Sequence, residues 1–201
     1  MQKDNGGLLH KLKIRRLLLS EIADPVIVET NGGSGTIFLK IYSEYESGTV
    51  FEKNIDKAAI LVKQRPTWAV YCADCVKSIS AGVGFHNQAN FFDVDPYGDP
   101  WPIIEAVFYN KKNLPDRWGM AVNDGLKRFF MLGRGWSSNA FTEWVEKIGN
   151  DNMARQYTKI VREKFDSIAD KAGFQVRKWV VHSSGHGGGM THYAAVLERN
   201  E

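Results

Sequence analysis

The residues best suited to chemistry are acidic and sit in turns. Phe92-Asp-Val-Asp-Pro-Tyr-Gly-Asp-Pro100 places Asp95 directly before Pro96 and the ring of Tyr97. A carboxylate and the carbonyl of the next proline can each accept a hydrogen bond from a flat NH2 group. An aryl amine is a poor nucleophile because its lone pair is delocalised into the ring. Holding both of its protons favours a tetrahedral nitrogen, and alignment supplies much of the remaining catalysis. Tyr97 offers a face on which a base can stack. Asp-Pro-Tyr-Gly is also ordinary turn composition, so the reading depends on its surroundings.

A second constellation precedes it. Glu29-Thr-Asn-Gly-Gly-Ser-Gly35 is an acidic residue followed by a glycine turn. Gly33 and Gly35 allow positive φ and close approach of backbone to a ligand. A dinucleotide fingerprint needs glycine or alanine where Phe38 stands. Glu29 would also repel a pyrophosphate, so an acidic entry suits a cationic ligand. Glu52 and Asp74 follow at later turns. Each alone is an ordinary helix cap; their order along the chain is the signal.

These residues need a frame that brings them to one edge. Leu8, Leu12, Leu19 and Ile22 recur at helical spacing, which predicts an amphipathic helix ending at Asp24-Pro25. Residues 1–25 form this N-terminal segment, and residues 26–201 form the body of a single domain. Strands are predicted at Val26–Glu29, Thr49–Glu52, Trp68–Cys72, Ala89–Val94 and Trp118–Val122. Helices are predicted between them, the first over Thr36–Glu46. Met153–Ala172 reads as a long helix. Phe174–His182 and Thr191–Glu198 read as strands joined by the glycine-rich turn Ser183–Gly189. This alternation predicts an α/β fold: a Rossmann-like, seven-stranded, mainly parallel sheet with a C-terminal antiparallel hairpin and helices on both faces. Ligands of such a sheet bind beyond the carboxyl ends of the parallel strands, where Glu29, Glu52, Asp74, Asp95 and Asn123-Asp124 fall.

With the ordered set in place, Glu29 to Gly35 resembles the first motif of class I S-adenosylmethionine-dependent methyltransferases, with Asn31 where the first glycine is usual. The resemblance covers about residues 26–198, the methyltransferase domain it implies. S-adenosylmethionine is then the expected cofactor, with Glu29, Asn31, Gly33 and Gly35 forming its loop. Glu52 matches the residue that holds both ribose hydroxyls, and Asp74 the one that meets the adenine amine. Asp95-Pro96-Tyr97 resembles the Asp/Asn-Pro-Pro-aromatic motif of enzymes that methylate base amines. The variant with glycine after the aromatic is locally similar to transfer-RNA guanine-N2 dimethyltransferases. The resemblance implies catalytic roles for Asp95, Pro96 and Tyr97.

Residues 125–152 read as an unusually long connection. Lys127, Arg128, Arg134 and Trp136 lie in it and suit phosphate contact and base stacking; Lys11, Lys13, Arg15 and Arg16 are further basic candidates. A nucleic acid, RNA before DNA, is the expected partner. Protein or small-molecule methylation, and a non-catalytic nucleic-acid-binding module with the same fold, are the alternatives. His182, His186 and His192 lack a clustered cysteine or carboxylate, and Asp74 between Cys72 and Cys75 suits the cofactor, so no metal is expected.

Composition agrees with this reading and excludes others. The 201 residues are 43% apolar and 24% charged, which fits one globular core rather than a disordered or coiled-coil chain. No apolar run approaches the roughly 20 residues of a membrane span, and Lys11, Lys13, Arg15 and Arg16 interrupt the only leader-like stretch. Two cysteines make no disulfide framework, so a cytoplasmic location is expected. A net charge of +3 permits a nucleic-acid partner without requiring one.

Overall fold

The computed structural model describes residues 7–86, 88–133 and 138–201. Seven strands form one sheet in the order β3-β2-β1-β4-β5-β7-β6. They are β1 (Ile27–Glu29), β2 (Gly48–Phe51), β3 (Ala69–Tyr71), β4 (Phe91–Val94), β5 (Arg117–Asp124), β6 (Phe174–Ser184) and β7 (Met190–Arg199). The first five are parallel, and β7 runs antiparallel to both β5 and β6. Because β6 is therefore parallel to β5, the glycine-rich turn after it lies at the carboxyl edge, with the strand ends.

Side chains alternate across the sheet. Phe92, Val94, Trp118, Met120 and Val122 face one core with α3 (Cys75–Ser80), α4 (Trp101–Tyr109) and α6 (Thr142–Lys171). Phe91, Ala121, Ala194 and Val196 face the other, under α1 (Leu8–Leu19) and the segment Phe38–Tyr42. α2 (Ile55–Gln64) sends Leu61 to that second core. α1 buries Leu12, Ile14 and Leu18 there. It approaches closely at Gly119, where a Cβ would lie 2.9 Å from Leu18 Cδ1. The N-terminal helix thus packs directly onto β5 and β7.

Two expected elements differ. The helix over Thr36–Glu46 is shorter, and Phe38–Tyr42 is a single π-helical segment. Its wider turn carries Phe38 and Tyr42 inward, where Phe38 meets Trp68 edge-on and Tyr42 reaches Asp93. Residues 125–152 are not one long connection: α5 (Leu126–Met131) follows β5, and α6 begins at Thr142. Gly149, at φ 76° and ψ 162°, interrupts α6. Its left-handed backbone dispenses with a Cβ and divides the helix into two amphipathic pieces whose joint period a sequence reading loses. No helix among the described residues is long and apolar enough to cross a membrane.

Candidate functional site at the carboxyl edge of the sheet

The glycine loop leaves β1 as a hydrogen-bonded turn. Gly32 N–H donates to the Phe51 carbonyl at 2.9 Å, and Gly35 N–H to the Gly32 carbonyl at 3.0 Å. Gly33 has φ +55° and open space where a Cβ would stand, so its backbone faces outward. Glu52 accepts from Gly33 N–H through Oε2 and from Asn54 N–H through Oε1, both at 2.8 Å. Each oxygen keeps a free lone pair. Asp74 caps α3, accepting from Lys77 N–H at 3.1 Å. Asn31 lies between, taking the Thr30 hydroxyl at 2.8 Å. The open backbone at Gly33 beside a carboxylate with spare acceptors fits a ligand bearing paired hydroxyls, as the sugar of S-adenosylmethionine does.

Glu29, expected at this ligand, is buried beneath the loop. It is 1% exposed and pairs with Arg65 Nη1 at 2.5 Å. Burial raises its carboxyl to about 7 despite Arg65, and the nearby Asp93 charge adds to the rise. Arg65 stacks over Phe38 at 4.2 Å. Strand alternation puts Glu29 and Asp93 side by side on one face, in register. Glu29 therefore braces the loop from beneath.

The β4 end is built differently. Asp93 lies in β4 and Asp95 just past its end, two residues on in extended backbone, so both point to the α1 face. Lys11 and Arg15 are one helical turn apart on α1 and face them. Arg15 is completely buried and forks onto Asp93: Nε donates at 2.7 Å and Nη2 makes a second short bond. Tyr42 donates its hydroxyl to Asp93 at 2.8 Å. Lys11 Nζ reaches the two Asp95 oxygens at 2.7 and 2.9 Å, and Arg15 Nη2 stands 3.5 Å from Asp95. Burial alone would raise the Asp95 carboxyl; the Arg15 and Lys11 charges outweigh it and hold the group below the usual carboxylate range. Asp95 is thus an ionised acceptor, 15% exposed. Tyr97, two residues on, is fully exposed.

This pairing corrects one expectation. Lys11 and Arg15 are not free to meet phosphates, while Lys13 and Arg16 remain exposed on the outer side of α1. It also identifies residues the sequence reading left out: Asp93, Arg65 and Tyr42. The signal for the first was present, as an i, i+2 acidic pair on a strand matching an i, i+4 basic pair on a helix.

Beyond β4, the loops after β4 and β5 are tied together by Gly125 N–H to the Gly98 carbonyl at 2.9 Å. Asp124 is fully buried and accepts from Leu126 N–H at 2.9 Å and the Tyr157 hydroxyl at 2.7 Å. Burial still pushes it up to about 7. Lys127 and Arg128 lie on α5, against the glycine turn: a Cβ on Gly189 would stand 3.1 Å from Arg128 Cβ. Arg134 and Trp136 lie outside the described residues. Among the described residues, no three histidine, cysteine or acidic side chains form a group that could hold a metal ion.

No protein-family model matches the chain, and no curated protein sequence does. Solved structures do. M. jannaschii TYW2 in complex with AdoMet superposes with a TM-score of 0.57 at 16% identity, over 99% of this chain and 78% of that one. Trm1 from Pyrococcus horikoshii with S-adenosyl-L-methionine gives 0.67 at 13%, over 96% of this chain and 55% of the other. This chain thus spans about half the length of that neighbour. The N-methyltransferase NodS from Bradyrhizobium japonicum gives 0.58 at 12%, over the whole of both chains. This chain shares its fold with these proteins.

Proposed function

We propose that this chain transfers a methyl group from S-adenosylmethionine to an exocyclic amine of a nucleic-acid base, in RNA before DNA. One observation carries the reading: an ionised acceptor, Asp95, followed by an exposed aromatic, Tyr97, stands at the edge that also holds the Gly33 turn, on the neighbouring strand, and Glu52, on the strand beyond it. Its structural neighbours support it, since they include a putative RNA methyltransferase from Pyrococcus horikoshii.

When bound, the cofactor supplies an electrophilic sulfonium methyl. Asn31, Gly33, Gly35, Glu52 and Asp74 hold it, with Glu29 beneath. Asp95 and the Pro96 carbonyl accept from the substrate NH2 and turn its lone pair toward the methyl. Tyr97 stacks on the base. Held low by Arg15 and Lys11, Asp95 is a weak base, so it orients the amine and the proton released on methylation passes to water. Lys127, Arg128, Arg134 and Trp136 carry the phosphates and flanking bases, and the substrate base must leave its stack to enter.

The test is methyl transfer from labelled cofactor to bulk RNA, DNA and protein, followed by nucleoside analysis. Label in an N-methylated base of RNA is the expected result. Label in protein alone would overturn the substrate reading. Failure to bind S-adenosylhomocysteine in calorimetry would overturn the methyltransferase reading itself. RNA affinity should fall steeply between ~50 and ~200 mM salt, because phosphate contacts release counterions.

A further inference from the structure

Between β5 and β7 the face of the sheet under α1 is apolar except along its upper edge. Ala121 on β5 stands opposite Ala194 on β7, and both belong to the core. One step up, Asn123 stands opposite His192. Val94 pairs with Val122, so Asp95 and Asn123 continue the same row from β4 to β5. Asp95, Asn123 and His192 therefore lie side by side on three neighbouring strands.

Their hydrogen bonds have a direction. His192 Nδ1 is 2.7 Å from Asn123 Oδ1, and His192 Nε2 is 2.6 Å from Ser184 Oγ. An amide oxygen only accepts, so Nδ1 carries the proton and Nε2 accepts the Ser184 hydroxyl. This fixes the Asn123 amide with its NH2 on the Asp95 side. The flipped amide would set its oxygen against the carboxylate. That NH2 is buried and has no partner at hydrogen-bond distance, so it is a spare donor on the side of the Asp95 carboxylate. Burial, with the Lys11 and Arg15 charges, pushes His192 down to about 4, so the ring stays neutral and keeps its tautomer near neutral pH. His10 of α1 stacks on His192 at 5.9 Å and 8°.

We propose that His192 and Asn123 are positioning residues for Asp95: His192, locked by Ser184, orients the Asn123 amide, and that amide sets the direction of the carboxylate that receives the substrate amine. The proposal rests on the methyl-transfer reading. Asn123 and His192 have no packing purpose here, because the positions below them on β5 and β7 are the alanines Ala121 and Ala194, and buried polar groups cost free energy unless matched. The antiparallel hairpin is then part of the catalytic machinery as well as the edge of the sheet.

The test uses the full chain with His192→Phe, which keeps a ring but loses the donor, and His192→Gln, which keeps an N–H. S-adenosylhomocysteine affinity should be unchanged in both. In His192→Phe, kcat should fall by up to about 10²-fold, the scale of a small misplacement at a reacting centre, with KM for RNA unchanged. His192→Gln should recover part of the loss. Carbon NMR titration should show the Asp95 carboxyl rising in His192→Phe and returning in His192→Gln. A wild-type kcat in His192→Phe, or a change in KM alone, overturns the proposal. If His192→Phe fails to fold, Ser184→Ala and imidazole nitrogen NMR of the wild type decide. A proton on Nε2 rather than Nδ1 in the wild type overturns the coupling. A wild type that methylates no nucleic acid overturns the substrate reading alone, and the tautomer and Asp95 titration still decide the coupling.

Discussion

Glu52 and Asp95 both close a parallel strand, and the chain supports them in opposite ways. Glu52 takes its hydrogen bonds from backbone N–H groups at Gly33 and Asn54, in its own turn and the adjacent loop. Asp95 is held by side chains of a helix 84 residues away in sequence. Above the buried Glu29–Arg65 pair, the ligand side of the β1–β2–β3 half of the edge is assembled from turn backbone. The β4–β5–β7 half is assembled from buried charge: Arg15 with Asp93, Lys11 with Asp95, and the neutral row beyond. Backbone-held sites tolerate side-chain exchange around them. Charge-held sites fail as units, because removing one partner strands the other in low dielectric.

The largest expected effect strikes the charge-held half. Arg15→Met should leave Asp93 buried without its cation, next to Glu29, and destabilise by about 3–5 kcal/mol. For a chain of this size that is roughly 10 °C in melting temperature. Thermal unfolding measures it, and adding Asp93→Asn should restore much of the loss. An Arg15→Met protein as stable as wild type would show that the pair is not the organising element.

Asp95→Asn comes next. It keeps the shape, removes the charge and leaves the cofactor loop untouched. Single-turnover methylation should slow by ~10²-fold, the scale of one lost preorganised electrostatic contact, with S-adenosylhomocysteine affinity intact. A stable, fully active Asp95→Asn protein would end the amine-methylation reading.

Glu52→Ala sharpens the contrast from the other side. Losing a charged acceptor for two hydroxyls should weaken S-adenosylhomocysteine by about 1.5–3 kcal/mol, read by calorimetry, while melting temperature barely moves. If Glu52→Ala unfolds as readily as Arg15→Met, the division into a backbone-held and a charge-held half is wrong.

A further test is a pH dependence at Asp124, the last residue of β5. Its folded carboxyl lies near 7, above the unfolded value of 3.8. A raised acid pKa gives stability that is full below the unfolded value and is lost as pH rises through the folded one. Wild type should therefore lose stability between pH ~4 and ~7 relative to Asp124→Asn, and the gap should stay constant above that range. Melting curves of both proteins across the range check the sign; a gap that grows toward acid would reverse it.

Much of the frame was legible in the chain. Alternating apolar runs and turns named the seven strands and the final hairpin, and the carboxyl-edge rule selected Glu52, Asp74 and Asp95 before any contact was known. Where reading failed, a helix departed from its regular period: the π-helical turn at Phe38–Tyr42 and the break at Gly149 both disturb the spacing on which such readings rest. The burial of Glu29 against Arg65 was not legible, because its place in the motif does not say which way its side chain points.

What the sequence determined by itself were the short-range features: the glycine loop, the Asp74 cap, the acidic turn after β4 and the strand alternation that sets Asp93 and Asp95 on one face. These depend on hydrogen bonds and sterics within a few residues. The tertiary structure alone decided that Lys11 and Arg15 serve those carboxylates rather than a nucleic acid. It also placed Arg65 under Glu29 and aligned Asp95, Asn123 and His192 on three strands. Each of those contacts joins groups far apart in sequence, and each depends on strand order and register, which desolvate the charges and leave them only one another as partners.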